Sequence, residues 1–438
     1  MKQRVNLGVV CLARKTFDYQ AAGGLYQKIQ QELRKIENVN FEIVPELLFE
    51  VAETRQAAAW LAAKQLDGLI CISGTFHLGH LALELQKALN VPLLLWGLNE
   101  LPYDGGKIRL NSVCGVNLNA SNLYKAGIRN YHVTLGDTVD EDWIDAIRIN
   151  AALARAQIGI AGFRAHGFFN LGVYDLNVYR QLGVLIDHYE LQEIFDLEVS
   201  AATVNAQKEK LLATFDVSGI SAAQIEKTSA LSAKLTHFME KHQLSALAVR
   251  CWPEFAATFG IAPCAAMSLV QAEDRVVVCE GDVEGALSML AQRAIGGETP
   301  FLADFSQVNL AENFALLWHC GVAPCNLWDG QCTRALHTYF AGGKGVTADF
   351  VMKPGALSIV RIDSAGAEYR LFLQRGQGLP MQKELRGTYL KVQFQEAIGA
   401  VLEKVIYNGV AHHVSMVYGD YIKPFEIFAR LKGWTIIE

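Results

Sequence analysis

The sequence predicts an α/β protein with two parallel-sheet domains, Rossmann-like or flavodoxin-like, followed by a β-rich, antiparallel and barrel-like C-terminal domain. Three observations carry this. Short apolar runs alternate with amphipathic helical stretches from residue 4 to about residue 298, as expected of strands buried on both faces and joined by right-handed crossovers. From Thr299 onward, apolar and polar residues alternate between glycines, the pattern of antiparallel strands. The chain has 438 residues, 51% hydrophobic and 19% charged, enough for several packed cores and too apolar for a disordered class.

The elements follow in order. Residues 4–12 form a first strand, 14–19 a polar loop and 21–36 an amphipathic helix. A strand at 41–44, a helix at 53–65 and a strand at 68–72 ending in SGTFHLGH come next, then a helix at 81–89 and a strand at 92–96. The loops 14–19, 74–77 and 97–103 follow strands, where open parallel sheets place their ligands. Neither GxGxxG nor GxxxxGK(S/T) follows these strands, so no nucleotide cofactor is indicated. A second run opens with a strand at 158–160 before GFRAHGFF. It continues with helical stretches at 177–185, 202–214 and 226–242, a strand at 246–250 running into CWPEF, and a helix at 263–271. The strand 275–279 stops at an acidic turn, with Glu280 at its end, Gly281 to turn the backbone, and Asp282 either a helix cap or a working carboxylate for the helix 283–293. The third region holds strands at 355–362, 368–374 and 388–392 and a helix at 395–407. The division expected is 1–154, 155–298 and 299–438.

Composition excludes several classes. The net charge is −6 with no basic cluster, which disfavours nucleic acid and anionic membranes as partners. No apolar run approaches the length of a membrane span, and the first apolar run reads as a strand rather than a signal peptide. Nine cysteines, an odd number without CxxC spacing, fit a reduced cytoplasmic protein.

The chemistry concentrates in acids and imidazoles: Glu280, Asp304 in PFLADF, His319 in WHCGVAP, and His412 and His413 in GVAHHVSMVYGD. Two carboxylates with imidazole make a mixed oxygen and nitrogen donor set, suited to Mn²⁺, Mg²⁺, Co²⁺ or Zn²⁺ rather than a soft metal. The plain alternatives are a turn cap for Asp304 and a hydrogen-bonded core histidine for His319. On a strand, His412 and His413 would point to opposite faces, so only one of them is expected to reach a metal.

CEGDVEGAL, PFLADF, WHCGVAP and GVAHHVSMVYGD, in that order, resemble the metal-site series of the L-fucose isomerase/L-arabinose isomerase superfamily, and VPLLLWGLNE is similar to its PxxIWGFN segment. The resemblance spans the chain. It implies a metal-dependent aldose–ketose isomerase working through a cis-enediol, most simply with Mn²⁺, and a trimer or hexamer with active sites between subunits. It implies Glu280, Asp304 and His413 as ligands, with His319 as the counterpart of an additional histidine of the arabinose-type enzymes. His412 stands where the fucose-type enzymes have a substrate-contacting asparagine. Glu280 and Asp304 are then also the acid/base pair that moves protons between C1 and C2. Substrate contacts are expected from Arg14, Thr75 and His77 in first-domain loops, from Trp96 and Trp252, and from His412. The substrate implied is a neutral pentose or 6-deoxyhexose such as L-fucose or L-arabinose. An anionic sugar such as sulfoquinovose is the alternative, motivated by Arg14 beside Lys15 and by Arg164 near His166. A non-catalytic cytoplasmic sugar-binding protein, with Trp96, Trp252 and Trp318 stacking on a sugar, is the rival from another class; it would have no need of Glu280, Asp304 and His413 together.

Overall fold

The computed structural model describes residues 1–338 and 343–437. Its chain divides into two compact units, Met1–Ala151 with Lys423–Thr435, and Ala152–Ile422 with Ile436–Glu438.

The first unit is built on a five-stranded parallel sheet in the order Val39–Leu48, Val5–Leu12, Gly68–Ser73, Leu93–Gly97, Tyr131–Leu135. Numbered along the chain this is 2-1-3-4-5, the flavodoxin-like order. Gly68–Ser73 and Leu93–Gly97 are buried throughout, which is why both read as unbroken apolar runs. Val39–Leu48 is longer than the sequence suggests and contains Pro45, tolerated because the strand lies at the sheet edge. The helix Val51–Ala62 starts two residues before the expected position, where Glu53 Oε2 accepts from the Glu50 backbone N–H at 3.2 Å. The helix Ile422–Lys432, late in the sequence, contributes Arg430, whose Nη1 lies 3.2 Å from His132 Nδ1.

The second unit contains a four-stranded parallel sheet in the order Leu185–Tyr189, Gln157–Ala161, Ala246–Val249, Val276–Val278. The sequence suggests a helix through residue 185. Instead the helix stops at Leu182, Gly183 turns the chain with φ 78°, and Leu185–Tyr189 forms an edge strand. Edge position explains the weak signal, since none of its five residues is fully buried.

After residue 299 a sheet of nine strands curls on itself. Thr388–Phe394, Phe314–His319, Phe301–Asn309, His413–Tyr418, Gly355–Ala365 and Glu368–Leu379 pair antiparallel in that sequence, and the last pairs back onto the first. The result is the antiparallel barrel expected from the alternation. Gly376 and Gly378 stand at the closing seam, where a Cβ would lie 2.7 Å from Val392 Cγ1 or 2.8 Å from Leu390 Cδ2. The four-stranded parallel sheet and the barrel share one core: Leu247 and Met267 lie in the same cluster as Phe301, Phe372 and Val414. The boundary expected near residue 298 marks a change of sheet type within that core. No helix among the described residues is long and apolar enough to cross a membrane.

Candidate active site

The site forms where the strand Val276–Val278 ends beside the barrel strands Phe301–Asn309 and His413–Tyr418. Glu280 occupies the left-handed region with φ 65°, a strained place for a glutamate that costs on the order of 1–3 kcal/mol. Neighbouring backbone holds it there: Ala165 N–H donates to Glu280 O at 2.9 Å, and Gly281 N–H donates to Val249 O at 3.1 Å. Gly281 has φ 75°, and a Cβ on it would lie 2.5 Å from Phe163 O and 2.6 Å from Arg164 Cα. Both neighbours are backbone and cannot rotate away. Gly281→Ala is therefore expected to destabilise the protein by on the order of 3 kcal/mol in urea denaturation and to displace Glu280. An unchanged midpoint would contradict this account of the turn.

Asp304 and His413 are direct cross-strand partners, so their side chains share one face. A register irregularity follows at once, between Phe305 and Gln307, where a bulge can re-aim neighbouring side chains. His413 is fully buried, and its Nε2 lies 3.4 Å from Glu280 Oε2 and 3.5 Å from Asp304 Oδ1. His413 Nε2 and Asp304 Oδ1 have no hydrogen-bond partner among the described residues. Buried lone pairs left open cost about 1–3 kcal/mol each, so their convergence needs an occupant. Two donors at right angles on one small divalent cation lie about 3 Å apart, close to these separations, and the oxygen/nitrogen set is the one such cations take. These side chains fit a cation.

The opposite edge of the His413 ring is fixed. Nδ1–H donates to Asp282 Oδ2 at 2.9 Å, leaving the Nε2 lone pair directed at the two carboxylates. Asp282 also caps the helix Val283–Ala294 by accepting from Gly285 N–H at 2.9 Å. The cap and the working carboxylate are thus the same residue. Burial opposes ionisation of Asp282, but the Arg361 guanidinium and the His413 hydrogen bond hold it well below the usual carboxylate range.

His412 departs from expectation. It precedes the strand His413–Tyr418, so strand alternation does not apply, and the two imidazoles lie 4.2 Å apart on the same site. His412 Nε2–H donates to Glu280 Oε2 at 3.2 Å, and its Nδ1 accepts from Asn170 Nδ2 at 3.1 Å. Phe168 stands edge-on to its ring. Burial works against ionisation of Glu280, but the His412 hydrogen bond and the nearby imidazoles outweigh it and lower its pKa. His319 is buried with both ring nitrogens engaged: Nδ1 accepts from Cys320 N–H at 2.9 Å, and Nε2 lies 3.1 Å from Cys279 Sγ. His319 thus packs behind the site between Cys279 and Cys320, and a ligating atom of it stands within 4.8 Å of ligating atoms of Cys279 and His413.

A cavity of about 680 Å³ opens onto Glu280 and Asp304. Trp252, Trp318, Ala256, Ala257 and Cys264 give it largely apolar walls, and Lys344 lies on its lining. Trp252 is 38% exposed. The substrate contacts expected in the first unit need correction. His77 is fully buried, its Nδ1–H donating to Thr75 O at 2.9 Å and its Nε2 accepting from Asn119 Nδ2 at 2.6 Å, and burial lowers its pKa to about 4. Thr75 Oγ1 accepts from Arg14 N–H and donates to Phe76 O. Trp96 is enclosed in the core, donating to Gly136 O at 2.8 Å. These three shape the loops of their own unit, because each polar group is already satisfied internally. Arg14 remains exposed on its loop. Arg164 lies over the rings of Phe163 and Phe169.

Sequence reasoning passed over Asn170, Lys344 and Arg361. Arg361 alone left a signal, a charge inside the apolar strand run LSIVRID. Asn170 lies in the single 3-10 turn Phe169–Leu171 and Lys344 in a turn between two glycines, and neither belongs to a motif.

The family model of the fucose/sulfoquinovose isomerase N-terminal domain matches residues 8–161. Sulfoquinovose isomerase of Priestia aryabhattai is 27% identical over 431 residues, covering 95% of both chains. The enzyme of that name from Alkalicoccus urumqiensis is 25% identical over 98% of both chains, and that from Clostridium sp. (strain MSTE9) 26% identical over 80% of this chain and 81% of its own. With its N-terminal domain matched and its similarity running nearly end to end, the chain is similar to the fucose isomerase-like aldose–ketose isomerases.

Proposed function

We propose that the protein isomerises sulfoquinovose to its ketose, sulfofructose, with Mn²⁺ or a similar divalent cation held by Glu280, Asp304 and His413. The observation that carries the isomerase reading is the meeting of two carboxylates and an open imidazole nitrogen at the floor of a sugar-sized cavity. In the aldose, C1 is the carbonyl and C2 bears a hydrogen and a hydroxyl. Conversion moves the C2 hydrogen to C1 as a proton and the C2 hydroxyl proton to O1. The cation, when bound, polarises the carbonyl and stabilises the enediol. Glu280 and Asp304 divide the proton transfers at carbon and at oxygen. His412 keeps Glu280 ionised and aimed, and Trp252 and Trp318 offer ring faces to the sugar. A non-catalytic binder would leave the open lone pairs on Asp304 and His413 without purpose.

The relatives' names favour the anionic alternative over the neutral sugars first expected. Lys344 supports it from within the cavity, as the one lysine or arginine among the described residues of its lining. Its backbone is pinned to the cavity wall, with Ala262 N–H donating to Lys344 O at 3.0 Å. A sulfonate reached by this ammonium gains a charge-assisted hydrogen bond of about 1.5–3 kcal/mol. Purified protein loaded with Mn²⁺ is expected to convert sulfoquinovose and to leave L-fucose and L-arabinose largely untouched, followed by NMR of the ketose. Lys344→Ala is expected to raise KM for sulfoquinovose about tenfold or more with little change in kcat. Turnover of neutral sugars alone would overturn the substrate, and an unchanged KM in the variant would remove Lys344 from its recognition.

A further inference from the structure

We propose that Arg361 is a positioning residue for the cation site, acting through Asp282 to hold His413 Nε2 open toward Glu280 and Asp304. The inference rests on the reading of those three side chains as a cation site and adds the support that sets its affinity.

Arg361 is fully buried in the strand Gly355–Ala365, and its Nη1 donates to Asp282 Oδ2 at 2.5 Å. The same oxygen accepts from His413 Nδ1–H at 2.9 Å. A continuous line therefore runs from guanidinium to carboxylate to imidazole to the open nitrogen. A charged carboxylate behind an imidazole fixes its tautomer and makes the far nitrogen a better donor. In this interior the carboxylate stays charged only with a cation beside it. Two further carboxylates face the guanidinium, Glu284 at 3.6 Å and Asp363 at 3.9 Å. Asp363 has its own partner in Arg370 at 2.7 Å. Glu284 lies farther from Arg361 than Asp282 does, and it is Asp282 that bonds His413. Asp282 thus has the closest hold on Arg361 and is the link to the site. Arg361 does not line the cavity and its nearest carboxylate is Asp282, so its effect on the site passes through Asp282.

The test is Mn²⁺ binding by the full chain, freed of metal with chelator and titrated under EPR detection of free Mn²⁺, with melting curves alongside. Arg361→Met is expected to weaken Mn²⁺ binding about 10- to 100-fold. Asp282→Asn, which keeps an acceptor for His413 but removes the charge, is expected to do the same. Glu284→Gln perturbs the same buried cluster without touching the line to His413 and is expected to bind Mn²⁺ within about threefold of the parent. A folded Arg361→Met with parental affinity overturns the proposal, as does an equal loss in Glu284→Gln, which would mark a general effect of packing. Should Arg361→Met not fold, Asp282→Asn decides by the same criterion. If the parent itself takes up no Mn²⁺, the cation reading falls and this inference with it; if the parent binds and Arg361→Met equals it, only the positioning role falls.

Discussion

Glu280→Gln is expected to lower kcat by about 10³-fold or more while the protein remains folded, because on the proposed function it removes both a ligand charge and one of the two proton-transferring carboxylates. The exchange is nearly isosteric, and glutamine meets the same left-handed backbone at φ 65° that glutamate already tolerates. The two backbone bonds that brace the turn, from Ala165 N–H and Gly281 N–H, do not involve the side chain. Melting temperature should therefore stay near the parent value, and loss of activity can be read as loss of chemistry. The His412 bond to Glu280 Oε2 can persist with the amide oxygen, so the pocket should keep its shape. A variant retaining more than about a tenth of parental kcat would take Glu280 out of the catalytic role.

Removal of divalent cations is expected to have a comparable effect, and a reversible one. Exhaustive chelation should bring turnover to background, and Mn²⁺ should restore it. Stability should move in the same direction. An ion that binds the folded chain and not the unfolded one stabilises by about 2.7 kcal/mol at a hundred times its dissociation constant. The open lone pairs on buried His413 Nε2 and Asp304 Oδ1 are the groups whose penalty it relieves. Addition of Mn²⁺ to stripped protein should raise the melting temperature as it restores activity. Full turnover by protein shown by elemental analysis to be metal-free would rule out a metal-dependent mechanism.

The fold was legible where burial is one-sided or complete. Gly68–Ser73, Leu93–Gly97 and Val276–Val278 are covered on both faces, and their composition says so directly. The alternation after residue 299 announced an antiparallel sheet, and Gly355–Ala365 pairs with Glu368–Leu379 over its whole length. The edge strand Leu185–Tyr189 escaped because so little of it is buried.

At the site, the sequence by itself determined the cast: Glu280 at a strand end before a required glycine, Asp304 and His413 in motifs that recur in order, and Trp252 beside them. The tertiary structure alone decided their relations. Cross-strand register sets Asp304 opposite His413, and no local pattern encodes which distant strands become neighbours. The same long-range pairing brings the buried Arg361 against Asp282, turning a helix cap into the support of an imidazole 131 residues away. It also closed His77, Thr75 and Trp96 into their own unit, where satisfied hydrogen bonds leave them nothing to offer a ligand. Residue type shows which groups can do chemistry; only the packed chain shows which of their lone pairs remain open.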